Sequence, residues 1–352
     1  MSTLHFGFIG AGQIAHHSAA SIKKHPRAEL VAAQDTNAER LQELCKEHNI
    51  PKAFATAEEL FADPAIDAVY IATPNKFHVP LSIKAMEAGK HVILEKPFAM
   101  SYHEALQAAE VSRRTGKILT LGMNQRFASS PQTVRSLVQA GQLGEIYHAK
   151  AFWFRRSGIP RLGTWFGNRE LAGGGCLYDI GVHFLDLCLY LMDNFEPVSV
   201  FGATYTKFGQ RGMGEGGWGK SDRSDIAFDV EDFATGLIRF ANGATVSLDV
   251  SWACHAEEDN RADVHLYGTE AGAHAYSGKI LQRDPQSGEY HTVQNLRPQL
   301  RYPHADRFHN FINHLLDGEE LCVTLEQALI VQRVLDALAE SSATGREVRL
   351  DS

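Results

Sequence analysis

The sequence predicts a two-domain protein that begins with a doubly wound α/β domain. Three observations support this: short apolar runs alternate with helical patterns up to about residue 124, a glycine-rich turn follows the first run, and 352 residues suffice for two domains of roughly 150 residues each. Strands that are apolar on both faces are typical of a parallel sheet covered by helices. We therefore place the α/β domain in residues 1–124 and a second domain in residues 125–352.

The predicted strands are five apolar runs: Leu4–Ile9, Glu29–Gln34, Ala68–Ala72, His91–Leu94 and Ile118–Leu121. Helical patterns occupy the intervals between them: Gln13–His25, Ala38–Glu47, Val79–Ala88 and Tyr102–Thr115. Gly89 and Gly116 follow two of these helices, where a C-terminal glycine ends a helix. The repeated order of strand, helix and strand predicts βαβ units.

The turn after the first strand reads Gly10-Ala11-Gly12-Gln13-Ile14-Ala15, which is Gly-x-Gly-x-x-Ala. The first glycine permits the tight turn, the second lets the backbone approach a pyrophosphate, and the small third residue lets helix and strand pack closely. The free N–H groups at the helix start then face the phosphates. This is the dinucleotide-binding pattern of a Rossmann fold, and it predicts cofactor contacts from Gly10, Gly12, Gln13 and Ile14.

Asp35 ends the second strand, 20 positions after Ala15, at the spacing expected for the acid that binds a ribose. Its carboxylate can accept hydrogen bonds from a ribose 2′-OH but repels a 2′-phosphate. Arg40, one helical turn later, would partly offset that repulsion. We therefore predict NAD as the cofactor and leave NADP open. A role for Asp35 as the N-cap of the next helix is compatible with this prediction.

Two further strand ends are candidate ligand sites, because ligands bind outside the carboxyl ends of parallel strands. After Ala68–Ala72 come Thr73, Pro74, Asn75 and, further on, His78. These residues either cap the next helix or lie under the nicotinamide ribose. After His91–Leu94 the chain reads Glu95-Lys96-Pro97, and a lysine at the mouth of a sheet is either functional or part of a surface pair with the glutamate.

The composition excludes several classes of protein. With 34 Lys and Arg against 42 Asp and Glu, the net charge of −8 argues against a non-specific binder of nucleic acid or membrane. No run approaches the ~20 apolar residues of a transmembrane helix, and Leu4–Ala15 lacks the basic flank of a signal peptide. The five cysteines show no Cys-x-x-Cys spacing, which predicts neither disulfides nor a metal site. We expect a cytoplasmic protein that acts on a small molecule.

A helix predicted over Gly175–Leu191 is apolar nearly all round and should be buried. Its exceptions, Asp179, His183, Asp186 and Tyr190, follow one another at spacings of four and three and therefore form one polar stripe. A buried polar group without a partner costs roughly 1–3 kcal/mol. The stripe therefore indicates either an internal hydrogen-bond network or a polar cleft.

These strand ends and this helix together resemble the Gfo/Idh/MocA family, the group of glucose–fructose oxidoreductase and inositol dehydrogenase. The Glu95-Lys96-Pro97 segment is the most recognisable mark of the resemblance. Further similar segments cover nearly the whole chain: Met123–Phe127, Leu143–Ile146, Trp165–Phe166, Gly173–His183, Phe240–Ala244, Tyr267–Gly272 and the last helix from Thr324 to Ser342. These motifs are specific to the family and not to a substrate.

The resemblance implies that the second domain is α+β, with a large, mostly antiparallel sheet. Helices cover one face of that sheet, and the other commonly makes the contact of a homodimer or homotetramer. The last helix, 324–342, would pack back near the N-terminal domain. The implied catalytic residues are Lys96, Asp179 and His183, and no metal is required. The implied substrates are sugars, sugar derivatives or cyclitols, with Asn124 and Trp165 added to the cofactor contacts.

Arginine and aromatic residues before the glycine run are candidates for sugar recognition, with Arg126, Arg155, Asp179 and His183 beside Lys96 as the predicted substrate contacts. Trp153 and Trp165 are candidates because aromatic rings pack on sugar C–H faces. Arg155, Arg156 and Arg161 are candidates because arginine binds hydroxyl or acidic groups. The alternative is that these aromatic residues pack a strand and that the arginines are solvated. Residues 209–224 are glycine-dense and predict a mobile loop around Trp218.

The main functional hypothesis is hydride transfer between a secondary alcohol and NAD. His183 would act as general base, Lys96 would stabilise the developing negative oxygen, and Asp179 would orient the substrate or the imidazole. Two alternatives stay open. One is a glycoside hydrolase or lyase that oxidises its substrate transiently, and the other is a non-catalytic NAD-sensing regulator.

Overall fold

The computed structural model describes residues 3–218, 227–294 and 296–350. It divides into two compact units. The first unit comprises Met1–Met123 and Asp306–Leu329, and the second comprises Asn124–Ala305 and Ile330–Ser352. Residues 219–224 of the predicted glycine-dense loop lie outside the described residues.

The first 123 residues alternate strands with helices. The strands are β1 (Leu4–Ile9), β2 (Ala28–Gln34), β3 (Lys52–Phe54), β4 (Ala68–Ile71), β5 (His91–Leu94) and β6 (Leu119–Leu121). The helices are α1 (Gln13–Ile22), α2 (Ala38–His48), α3 (Ala57–Ala62), α4 (His78–Glu87) and α5 (Tyr102–Thr115). All strand pairs are parallel and the order is β3-β2-β1-β4-β5-β6, which confirms the predicted doubly wound sheet.

The strand β3 and the helix α3 were not among the predicted elements. The strand is three residues long at the sheet edge, and two of its residues, Lys52 and Ala53, are exposed. An edge strand of this length needs no apolar run, so periodicity cannot detect it. The short helix does carry a local signal, because Thr56 and Glu59 form a reciprocal capping box at its start.

The remainder of the chain forms one large sheet and five helices in the described residues. The strands are β7 (Ile146–Arg155), β8 (Pro197–Tyr205), β9 (Phe233–Phe240), β10 (Thr245–Ser251), β11 (Asn260–Gly268), β12 (Ala271–His274), β13 (Lys279–Arg283), β14 (Tyr290–Val293) and β15 (Val348–Arg349). The helices are α6 (Ser129–Gln139), α7 (Arg169–Ala172), α8 (Val182–Met192), α9 (Arg307–Asp317) and α10 (Leu325–Thr344).

The nine-stranded sheet has the order β14-β13-β12-β11-β7-β10-β9-β8-β15. Among the strands of the described residues only the pair β7–β10 is parallel, so the expectation of a mostly antiparallel sheet in an α+β domain is confirmed. Helix α8 packs on β7, β10 and β11. Helix α10 lies so close to the sheet that a Cβ at Gly202 or Gly236 would stand 2.9 or 2.4 Å from Leu338.

The segment Asp306–Leu329 belongs to the first unit, although the sequence assigned all of residues 125–352 to the second domain. The physical reason is the apolar side of α9. Phe308 and Phe311 are buried in the core of the first unit, where Phe308 contacts the ring of Tyr70 and Phe311 that of Phe6. The first residues of α10 belong to the same unit and its remainder to the second.

One helical stretch, Arg169–Met192, is long and apolar enough to cross a membrane by length and composition. However, 89% of its most apolar window is buried inside the protein. A helix surrounded by protein in this way is a core helix, as the apolar pattern of Gly175–Leu191 predicts.

Candidate active site

The turn between β1 and α1 has the shape of a phosphate cradle. Gly10 has a φ of +95°, and a Cβ there would lie 2.5 Å from the carbonyl oxygen of Ala72, so only glycine fits. At Gly12, where α1 begins, a Cβ would meet nothing within 4 Å. The backbone N–H groups of Gly12, Gln13 and Ile14 donate to no acceptor in the described part of the chain. The turn therefore fits a pyrophosphate.

Asp35 lies directly after β2 and beside this turn. One carboxylate oxygen accepts the N–H of Ala11 and the other that of Asn37, both at 2.7 Å. The N-cap of α2 is Asn37, whose side chain accepts the N–H of Arg40, so Asp35 does not cap that helix. Asp35 is half-buried and Arg40 is exposed, and the carboxylate of Asp35 is bonded directly to the turn.

The chain after β4 contains a buried polar atom that a ligand could satisfy. The hydroxyl oxygen of Thr73 is buried and has no hydrogen-bond partner among the described residues. Pro74 precedes a single helical turn, and Asn75 in that turn is buried. A hydroxyl of a bound ribose would supply the missing partner of Thr73.

His78 does not face a ligand, contrary to its predicted cofactor contact. Its ring is 1% exposed, with Nδ1 at 2.8 Å from the carbonyl oxygen of Pro97 and Nε2 at 3.0 Å from that of Thr73. Burial lowers the pKa of His78, while the two carbonyl contacts oppose this shift. The imidazole therefore ties the turn after β4 to the segment after β5.

The carboxylate of Glu95 is also directed into the protein. It is 7% exposed and accepts hydrogen bonds at 2.5 Å from the hydroxyl of Tyr70 and from Arg307 on α9. Burial alone would raise the pKa of Glu95, but the Arg307 charge and the Tyr70 hydroxyl hold it below its usual value. The N–H of Lys96 donates to the other oxygen of Glu95 at 3.2 Å. Glu95 therefore anchors the half-buried Lys96 and is not itself placed for a ligand.

The predicted helix Gly175–Leu191 begins with a π-helical turn, Leu177–Gly181, before α8. The glycine run before it has a steric cause, because a Cβ at Gly175 would stand 1.9 Å from the carbonyl oxygen of Glu231. The Glu231 side chain accepts the N–H groups of Gly175 at 2.7 Å and Leu177 at 3.2 Å. Burial raises the pKa of Glu231. Such π-turns occur frequently at functional sites.

Asp179 lies in this π-turn and His183 in the first turn of α8. The carboxylate of Asp179 accepts the indole N–H of Trp252 at 2.8 Å. Arg155, at the end of β7, lies over the Trp153 ring at 4.1 Å; burial lowers the pKa of its guanidinium, and the charge of Asp179 opposes that shift. Asp179 and Arg155 therefore lie near one another, each beside an indole ring.

Arg126 was predicted to bind substrate, but the structure gives it another partner. Its guanidinium is fully buried and donates to the Asp186 carboxylate at 2.8 and 2.6 Å. Tyr190 adds a ring face at 4.8 Å from the guanidinium carbon. Asp186 and Tyr190 of the polar stripe thus form an internal network with Arg126. Of the four residues of the stripe, only Asp179 and His183 are half-buried.

The other predicted contacts occupy varied surroundings in the second unit. Asn124 begins a short helical turn, and Trp165 stacks on Phe166 with ring centroids 3.9 Å apart. Arg156 is exposed and donates to Asp259, and Arg161 donates to the carbonyl of Gly217, so both have partners in the protein. Trp218, 44% exposed, meets Phe166 edge-on.

Two groups of side chains in the described residues could offer three metal ligands: His16, Glu47 and His48, and Asp263, His265 and His274. Neither group contains a predicted catalytic residue. Lys96 belongs to the first unit, whereas Asp179 and His183 belong to the second.

The first unit is a Rossmann fold with an open glycine turn. The second is an α+β unit in which a buried helix begins with the polar residues Asp179 and His183. Together these features are typical of a dinucleotide-dependent oxidoreductase. The family model described as "Oxidoreductase family, NAD-binding Rossmann fold" matches residues 4–123, and the GFO/IDH/MocA C-terminal domain matches residues 132–274. The chain belongs to the Gfo/Idh/MocA family. It is an NAD(P)-dependent oxidoreductase, which confirms the dinucleotide binding predicted from the glycine turn and the activity implied by the resemblance.

Among curated proteins, the D-glucoside 3-dehydrogenase of Escherichia coli (strain K12) is 33% identical over 352 residues, which cover 99% of this chain and 98% of the relative. Among solved structures, GenD2 from gentamicin A biosynthesis in complex with NAD is 26% identical, with a TM-score of 0.80 over 100% of this chain and 97% of that one. Levoglucosan dehydrogenase with NADH and levoglucosan has a TM-score of 0.84 over 100% of both chains, and at 22% identity it shows the fold alone.

Proposed function

We propose that this protein oxidises a secondary hydroxyl of a sugar or glycoside with NAD. The observation that carries the proposal is the pair Asp179 and His183, which stands at the polar end of an otherwise buried helix, with Trp252 and Arg155 beside it. The full-length similarity to a D-glucoside 3-dehydrogenase supports a sugar as substrate. A cyclitol is the next class that the same residues would accept.

In this proposal, His183 takes the proton of the substrate hydroxyl as general base, since an imidazole titrates near neutral pH. Lys96 hydrogen-bonds the same oxygen and stabilises its developing negative charge. Asp179 accepts a hydrogen bond from the substrate or from the imidazole and so orients them. When bound, NAD supplies the acceptor for the hydride. Arg155 is the remaining candidate for a contact to a substrate hydroxyl.

The cofactor contacts follow from the shape of the first unit. The N–H groups of Gly12, Gln13 and Ile14 would bind the pyrophosphate, and Gly10 keeps the turn tight. The Asp35 carboxylate would accept the ribose hydroxyls. Thr73, whose buried hydroxyl has no hydrogen-bond partner in the described part of the chain, would hydrogen-bond the second ribose, together with the neighbouring Pro74 and Asn75 turn. Asn124 and Trp165 complete the proposed cofactor contacts.

The nine-stranded sheet also suggests a homo-oligomer, a homodimer or homotetramer. Its face opposite α10 exposes large apolar side chains, with Phe201 52%, Leu237 43% and Tyr267 39% exposed. Phe201 and Leu237 are direct cross-strand neighbours. An exposed apolar patch of this kind is typical of an interaction surface.

All five cysteines are free, which suits a reducing compartment such as the cytoplasm.

The decisive experiment is a panel of sugars, glycosides and cyclitols with NAD and with NADP, read at the nicotinamide absorbance. We expect net NADH production, loss of turnover by at least a hundredfold in Lys96→Met and His183→Ala, and little change in the exposed controls Lys24→Met and His291→Ala. Cleavage of a glycoside without net NADH would instead indicate the hydrolase. NAD binding with no turnover on any substrate would indicate a regulator, and near-normal turnover in both active-site variants would reject the assignment.

A further inference from the structure

The indole of Trp252 has no role in the chemistry described so far, yet it holds a residue of the proposed site. We infer that Trp252 is a positioning residue that fixes the carboxylate of Asp179 in its ionised, hydrogen-bond-accepting state. This inference rests on the proposed function, because it concerns how Asp179 is kept ready for a substrate hydroxyl.

Trp252 is immobilised by its surroundings. It is the residue after β10 and is fully buried. Its backbone N–H donates to the carbonyl of Asp232 at 2.9 Å, and its ring meets that of Phe228 at 6.5 Å. A ring so enclosed cannot change rotamer without displacing the core, so the direction of its N–H is fixed.

The other partner of the bond is immobilised by the same stretch of chain. Asp179 sits in the π-turn, where its N–H donates to the carbonyl of Gly175 at 3.0 Å. The start of that turn is held by Glu231, whose neighbour Asp232 receives the N–H of Trp252. Residues 231–232 therefore hold both the donor and the acceptor of the Trp252–Asp179 bond.

The hydrogen bond between Trp252 and Asp179 can form in one direction only, from the indole to the carboxylate. An indole N–H only donates, so Asp179 must accept at the oxygen 2.8 Å away. Donation to a carboxylate favours its ionised form, and the nearby Arg155 charge acts in the same direction. An ionised carboxylate of fixed rotamer can accept a hydrogen bond from a sugar hydroxyl, whereas a carboxyl group that has taken up a proton could turn into a donor.

Trp252→Phe tests this, since it removes the N–H and keeps an aromatic ring. In a His183→Ala background, where the general base no longer titrates, the pH below which a substrate sugar leaves the NADH complex should move up by about one unit. With His183 in place, we expect kcat/KM for that sugar to fall about tenfold, as the loss of one hydrogen bond to a charged group requires. Binding of the same sugar to the NADH complex should weaken by a similar factor. Phe228→Leu, which loosens the packing of the same ring without removing the N–H, should leave the pH dependence of sugar binding in the His183→Ala background unchanged.

A double-mutant cycle with Asp179→Asn separates positioning from a purely structural role. If Trp252 acts through Asp179, Trp252→Phe changes sugar binding and kcat/KM by less than twofold in the Asp179→Asn background. A full tenfold loss in that background, or an equal shift in the pH dependence of sugar binding in Phe228→Leu, would overturn the inference.

Failure of the proposed function gives a different result from failure of this inference. If Asp179 has no part in the site, Asp179→Asn by itself leaves sugar binding and turnover near wild type. NAD binding, measured by protein fluorescence, should stay unchanged in every variant, because Trp252, Phe228 and Asp179 are not among the proposed cofactor contacts.

Discussion

At the scale of single residues, burial separates the side chains that support the site from those that can meet a ligand. Glu95, His78 and Arg126 all looked like ligand contacts in the sequence, and the structure gives each of them buried partners within the protein. Their residue types could not reveal this, because a carboxylate, an imidazole and a guanidinium serve equally well as anchors and as ligands. Whether such a side chain is an anchor or a ligand contact depends on its burial, and its burial is determined by the tertiary fold.

Arg126→Met tests the structural assignment of that arginine. The change leaves the Asp186 carboxylate buried and uncompensated, so the free energy of unfolding should fall by about 3–5 kcal/mol. Chemical denaturation measures this, and the double variant Arg126→Met/Asp186→Leu should recover much of the loss. A rise in KM at unchanged stability would instead mean that Arg126 binds the substrate.

Asp35→Asn tests the cofactor preference. The amide keeps an acceptor oxygen for the turn but removes the charge that repels a 2′-phosphate, so the preference for NAD over NADP should narrow by about tenfold. The ratio of kcat/KM for the two cofactors reports the change. The matching change Asp317→Asn, at an exposed ion pair on α9, should leave the ratio as it is.

At the scale of elements, the sequence predicted regular structure well and the irregular start of the catalytic helix poorly. The bounds of β1, β5 and α5 agree residue for residue, because local apolar periodicity and caps determine them. The π-turn Leu177–Gly181 was expected to be ordinary α-helix. Its first residue, Leu177, donates its N–H to Glu231, 54 positions away, and Asp179 within it accepts from Trp252, 73 positions away, so no local pattern contains either contact.

Gly175→Ala tests the steric origin of the π-turn. The added Cβ would overlap the Glu231 carbonyl oxygen, so the turn or the segment around residue 231 must shift, at a cost of about 1–3 kcal/mol. Turnover should fall with stability, since Asp179 moves with the turn. Gly217→Ala is the control, because its Cβ would meet nothing within 4 Å; equal effects in the two variants would refute the steric explanation.

At the scale of the whole molecule, one histidine predicts how stability depends on pH. Burial, assisted by the charge of Lys117, lowers the pKa of His91 to about 4 from 6.5. Its neutral Nδ1 accepts the N–H of Ile118 at 3.1 Å. Between pH 6.5 and 4 the unfolded chain binds a proton at this site that the folded protein does not bind. Stability contributed by the neutral ring is therefore present above pH 6.5 and is lost as the pH falls toward 4.

We expect this loss to amount to roughly 2 kcal/mol, measured as the free energy of unfolding between pH 7 and 4. His91→Asn keeps an acceptor near the position of Nδ1 but cannot take up the proton, so the variant should show a smaller decrease over the same range. If the free energy of unfolding decreases equally in the wild type and the variant between pH 7 and 4, other groups cause the acid sensitivity.

Because residues 306–329 belong to the first unit, that unit can be completed only late in the synthesis of the chain. A ribosome completes residues 124–305 after it has made the first six strands, which takes roughly 10–40 s at ordinary elongation rates. During that interval Glu95 has no Arg307 and the core lacks Phe308 and Phe311. A nascent chain stopped at residue 305 should therefore be cut by protease within its first 123 residues far more readily than the finished protein. Maturation of the nucleotide-binding unit then depends on residues 306–329, which leave the exit tunnel only after the whole of residues 124–305.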